Sequence, residues 1–141
     1  MKKEYIDVVS YDGEGYKPLV DYQTWRCAVL RYIDELELDN LINMQKHNET
    51  DELFILLEGE CVLFVGGKDD DLSDIDAIKM EPLKIYNVKR GTYHTHTLMP
   101  NTTVLIVENR DTDDSNSPRV WFTQEQKDKV VELGKKLFGT E

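Results

Sequence analysis

All three histidines of this chain, His47, His94 and His96, fall in two short windows, and each window carries a partner that a site built on strands would use. In the first, His47 is followed by Glu52, where an apolar run from Leu53 to Leu57 begins. A short reversal between them turns an imidazole and a carboxylate toward one point. In the second, His94 follows Gly91 by three residues, so a sharp turn at the glycine aims it into the same interior. Imidazole nitrogen and carboxylate oxygen together suit divalent Zn, Mn, Fe or Ni, and two such ligands need a third to hold the ion against water. His94 supplies it. His96 faces the same side of a strand as His94, about 6 to 7 Å away, and is read as the candidate catalytic acid or base. Tyr93, which adjoins His94, is read as a wall of the substrate pocket. The competing reading of these polar residues is plain hydrogen bonding at strand ends near the surface.

The elements that must position these groups are strands. Short apolar runs separated by Gly, Asn, Asp and Pro recur at the spacing of a sandwich or barrel. Trp25 to Ile33 is the first strong run. In Leu41 to His47, alternation places Leu41, Asn43, Gln45 and His47 on one face. Leu53 to Leu57 is apolar on both faces, and Gly59 allows a tight hairpin into Cys61 to Val65. A strand buried on both sides needs a cover: the second sheet, a helix or another subunit, and a homodimer is expected. Further runs at Ala77 to Met80, Leu83 to Val88 and through Thr103 to Glu108 bring the expected total to about eight or nine strands. Thr123 with Gln126 forms a capping-box pattern that opens a helix over about 124–138, carrying Val130, Leu133 and Leu137 at helical spacing.

With Glu52 and Gly59 spaced from His47 as His47-x4-Glu52-x6-Gly59, and with Gly91-x2-His94 downstream, the sequence resembles the cupin superfamily. That family's first motif runs Gly-x5-His-x-His-x(3 or 4)-Glu-x6-Gly and its second Gly-x5-Pro-x-Gly-x2-His-x3-Asn. The likeness spans roughly residues 41–108. The family's first metal histidine falls on Gln45, its second-motif proline on Lys89 and its final asparagine on Leu98. The resemblance implies an all-β, double-stranded β-helix (jelly-roll) barrel with a C-terminal α-helix. It also implies a ligand set of Gln45, His47, Glu52 and His94. A glutamine oxygen binds borderline ions more weakly than imidazole does.

Length and composition bound the rest. The 141 residues, 40% of them hydrophobic, suffice for one core, so a single domain over 1–141 is expected, with its barrel over about 24–109. Seventeen Lys and Arg stand against 28 Asp and Glu, a net charge of −11 that repels nucleic acid. No apolar run reaches the ~18 residues of a membrane span, and the first residues lack a secretion signal. A cytoplasmic location is expected, where Cys27 and Cys61 stay thiols. Two functions follow. One is a metal-dependent enzyme, of isomerase, epimerase or oxygenase type, acting on a small polar metabolite such as a sugar or keto acid. The other is a non-catalytic small-molecule binding or sensing barrel whose metal site Gln45 has weakened.

Overall fold

Among the described residues, 4–139 of the computed structural model, ten strands form two five-stranded sheets with antiparallel pairing between neighbours. They are β1 (Gly15–Tyr22), β2 (Trp25–Arg31), β3 (Asn43–Gln45), β4 (Glu52–Glu58), β5 (Cys61–Val65), β6 (Asp76–Lys79), β7 (Ile85–Val88), β8 (His94–Leu98), β9 (Thr103–Asn109) and β10 (Arg119–Trp121). One sheet runs β1-β2-β9-β4-β7 and the other β10-β3-β8-β5-β6. The chain changes sheet repeatedly, as a jelly roll does, so residues far apart in sequence meet in the space between. Two strands lie outside the barrel expected over 24–109. β1 has Lys17, Pro18 and Asp21 and no clean alternation, which an edge strand tolerates and a proline there requires. β10 has only three residues.

Period-two alternation sorts each strand into an inward and an outward set. Inward residues Ala28, Leu30, Phe54, Leu56, Cys61, Leu63, Val88, Leu98, Val104 and Ile106 pack between the sheets. The outward residues of β5, Val62 and Phe64, instead meet the helix α1 (Gln124–Phe138) through Val130, with Leu41, Met44, Leu72 and Tyr93 around them. Leu41 therefore lies on the helix side, out of phase with Asn43: two 3-10 turns at Asp34–Leu36 and Leu38–Asn40 precede it and break the strand alternation read for 41–47. At the start of α1 the Thr123 hydroxyl accepts from the Gln126 amide, and the Gln126 side chain accepts in return from Thr123 N–H. Both caps satisfy donors that the first turn leaves free.

The cover that β4 needs is unevenly supplied. The helix lies over the β5 side, and the outer face of β4 and its neighbours keeps Leu57 and Ile85 exposed. Two glycines make the turns that aim the strands. Gly59, at φ +88°, joins β4 to β5, and a Cβ there would stand 2.5 Å from the Thr102 Cα. Gly91, at φ +76°, turns the chain into β8 with open space around it. Among the described residues no helix is long and apolar enough to cross a membrane.

Candidate metal centre and its pocket

The barrel interior changes character along its axis. Continuing the inward sets toward one end gives Glu52 on β4, His94 and His96 on β8, Glu108 on β9 and Arg26 on β2. Arg26 and Glu108 are paired residues of neighbouring strands. His47 follows β3, whose Gln45 pairs with His94. His47, Glu52 and His94 are all buried, and one ligand atom from each lies within 4.8 Å of the others. His47 Nε2 is 3.1 Å and His94 Nε2 2.8 Å from the same oxygen, Glu52 Oε1. An ion with bonds of about 2.0–2.2 Å sets its ligand atoms roughly 3.4 Å apart, so the three donors stand at nearly the spacing that a shared ion imposes.

Hydrogen-bond direction tests the fit more sharply than distance. His94 Nδ1 lies 3.0 Å from the carbonyl oxygen of Thr92, which can only accept, so Nδ1 carries the proton. In a neutral ring Nε2 is then a bare lone pair, and it faces a carboxylate oxygen. Two acceptors do not approach to 2.8 Å unless a cation, a proton or a metal, sits with them. Burial disfavours charge on both partners, yet the contacts with His47 and His94 and the charge His94 carries when protonated hold the Glu52 carboxyl well below the usual carboxylate range. Burial likewise opposes the His94 cation, and the Glu52 contact and charge outweigh it, raising the imidazole above its ordinary value. Two imidazoles and one carboxylate around a point of high cation affinity are a chemically sound donor set for a divalent ion.

A cavity of about 630 Å³ opens onto these groups. His96 lines it deeper in, outside the ligand group. Its Nδ1 is buried without a hydrogen-bond partner, and burial together with the nearby His94 charge pushes the ring down to about 4. The Phe54 ring packs against both, edge to face with His94 at 5.9 Å between centroids and tilted against His96 at 5.7 Å. Gln45 also lines the cavity, with its amide nitrogen donating to Ser117 O at 2.9 Å and toward Asp114 Oδ1 at 3.2 Å.

Tyr93 does not wall the pocket. It stands on the other side of the sheet, among the residues under α1, with its hydroxyl donating to Asp70 and Lys46 above its ring. Adjacency to His94 is the reason: neighbours on a strand point to opposite faces.

Sequence reasoning did not reach Tyr16, Arg26, Glu108 and Ser117. Glu108 Oε2 accepts from Tyr16 at 2.8 Å and from Arg26 at 2.6 Å. Burial and then Glu52 raise it to about 7 against the pull of Arg26 and Tyr16. A signal was present: Val104, Ile106 and Glu108 alternate on one face, so a carboxylate ends an inward apolar row.

No protein-family model matches this sequence, and no curated protein matches it. Solved structures do. A cupin-2 domain containing protein from Shewanella frigidimarina is 17% identical with a TM-score of 0.50, over 71% of this chain and 85% of that one. A cupin superfamily protein from Desulfitobacterium hafniense is 14% identical with a TM-score of 0.50, over 74% and 84%. Streptomyces PAC13, in a His-to-Gln variant with uridine, is 10% identical with a TM-score of 0.56, over 82% and 86%. At these identities the likeness speaks for the fold alone.

Proposed function

We propose that this chain, a cupin by fold, holds one divalent metal ion on His47, Glu52 and His94 and uses it on a small polar metabolite in the cavity beside them. The observation that carries the reading is His94 Nε2 standing 2.8 Å from the Glu52 carboxylate while Nδ1, on the far side of the ring, is bonded to Thr92 O. A bound ion of this kind polarises a carbonyl or hydroxyl oxygen as a Lewis acid. His96, neutral and lining the cavity, takes the role of the group that moves a proton there. Gln45 remains a candidate fourth ligand through its amide oxygen.

The lining narrows the class of ligand. Glu35, Glu52, Glu108, Asp113 and Asp114 outnumber Arg26 and Arg119, and Arg26 is already spent on Glu108. Even with a divalent ion the site keeps an excess of negative charge, which favours a neutral hydroxyl-rich molecule of sugar type over a keto acid. The exposed apolar side chains Leu57 and Ile85, on the sheet face that the helix does not cover, support a homodimer through that face. The two free thiols, Cys27 half-buried and Cys61 buried, support a reducing, cytoplasmic setting.

The test is metal analysis of protein purified without chelator. A stoichiometric divalent ion that disappears in His94→Ala supports the reading. An empty protein that still binds a sugar would favour the non-catalytic binding barrel, which the commitment of the Gln45 amide nitrogen to Ser117 and Asp114 already suits.

A further inference from the structure

We infer that Ser117 sets the orientation and tautomer of His47, so that the polar loop 110–118 belongs to the metal site although none of its atoms is a ligand. The inference rests on the metal reading above and extends it to a residue that faces away from the ion.

A chain of hydrogen bonds leads to His47, and each fixes the direction of the next. Asn116 Nδ2 donates to the carbonyl of Asp111 at 2.6 Å, and its Oδ1 accepts from the backbone N–H of Asp113 at 3.1 Å. A carbonyl only accepts and a backbone N–H only donates, so the Asn116 amide has one orientation. Ser117 Oγ lies 3.0 Å from that same Oδ1, to which it can only donate. Its single proton is thereby used, and toward His47 it presents a lone pair. His47 Nδ1, 2.7 Å away, must be the donor. In the neutral ring the other nitrogen, Nε2, is then unprotonated and aimed at Glu52, as a metal ligand has to be.

Ser117 is well placed to do this. It is 2% exposed, so no water competes for the bond. Its backbone oxygen is held by the Gln45 side chain at 2.9 Å, and the backbone on either side is clamped by Asn48 N to Asn116 O and Lys46 N to Pro118 O, both 3.1 Å. The position where the resemblance expects a metal histidine thus carries a side chain that fastens the residue orienting the next one. Thr92 O does for His94 what Ser117 does for His47. Ser117 is a positioning residue.

The experiment compares wild type with Ser117→Ala, Ser117→Thr and Asn116→Ala, measuring Zn²⁺ affinity by chelator competition and the His47 ring by ¹⁵N NMR of the zinc-loaded protein. Ser117→Ala is expected to weaken zinc binding by about 10- to 100-fold, the usual consequence of losing such a partner, and to lose the slowly exchanging His47 Nδ1 proton. Ser117→Thr, which keeps the hydroxyl, stays within roughly threefold of wild type. Asn116→Ala frees the hydroxyl proton to turn toward His47, and it decides the matter if Ser117→Ala does not fold: weaker binding with a broadened Nδ1 proton supports the relay. Unchanged affinity with a sharp Nδ1 proton in the alanine variants overturns it, as does a zinc-loaded wild type in which Nδ1 is the coordinating atom. A wild type that takes up no zinc defeats the metal reading itself, a result distinct from zinc bound equally by all four proteins.

Discussion

Replacing Glu52 by Gln removes charge but keeps shape at the one atom that both imidazoles face, and it isolates the carboxylate's share of metal binding. A structural zinc site of four ligands supplies about 10–16 kcal/mol, or roughly 2.5–4 kcal/mol per ligand. Taking ~3 kcal/mol for the lost carboxylate, affinity falls about 150-fold. Consider a wild-type dissociation constant of about 1 μM and about 100 μM free zinc: the ion then stabilises the fold by about 2.7 kcal/mol, against about 0.3 kcal/mol for Glu52→Gln. At about 3 °C per kcal/mol for a chain of this size, zinc raises the unfolding temperature by about 8 °C in wild type and about 1 °C in the variant. Differential scanning calorimetry with and without zinc reads both numbers. The geometric reasoning fails if the two proteins gain equally, because the atom that His47 and His94 share would then have no part in holding the ion.

Zinc affinity should fall as pH drops from about 8 to 6, by up to tenfold per unit, because the raised His94 must give up its proton before its Nε2 can bind; competition titrations at three pH values check this, and a flat profile refutes it. Phe54, wholly buried against the two histidine rings, should cost about 3–5 kcal/mol when cut to Ala, measured by denaturant unfolding. Gly91→Ala should cost only the left-handed backbone penalty of about 1–2 kcal/mol, whereas Gly59→Ala should cost clearly more, since its Cβ meets the Thr102 backbone; equal costs would contradict the packing described. Ile85→Asp, 69% exposed in the single chain, should convert a dimer to a monomer in sedimentation without lowering zinc uptake.

What the sequence disclosed, it disclosed through alternation and local spacing. His47, Glu52 and His94 were legible because each lies next to a turn that its own neighbours encode, and the helix because Thr123 and Gln126 cap it. Glu108 was hidden for a different reason. It matters through its pairing with Arg26, 82 positions away, and register between distant strands is not written in either strand alone. Ser117 was lost inside a run of polar residues that reads as solvated loop, since nothing local shows that its hydroxyl is buried against an imidazole. Tyr93 is the instructive case. Period two applied at positions 93 and 94 would have turned it outward, so the information was present and nearness in the chain misdirected the reading.

The gradient inside the barrel also divides labour between its two ends. Around Cys61, Leu63 and Leu98 the inward side chains are apolar, whereas at the other end Glu52, His94, His96, Glu108 and Arg26 face the cavity among Leu30 and Ile106. Cohesion therefore resides mostly in one half and the candidate metal group in the other, with the Phe54 ring between them. A new ligand is better sought by exchanging the less buried lining, Ile33 or Ile42, than Glu52 or Glu108, whose removal would leave a buried partner unpaired.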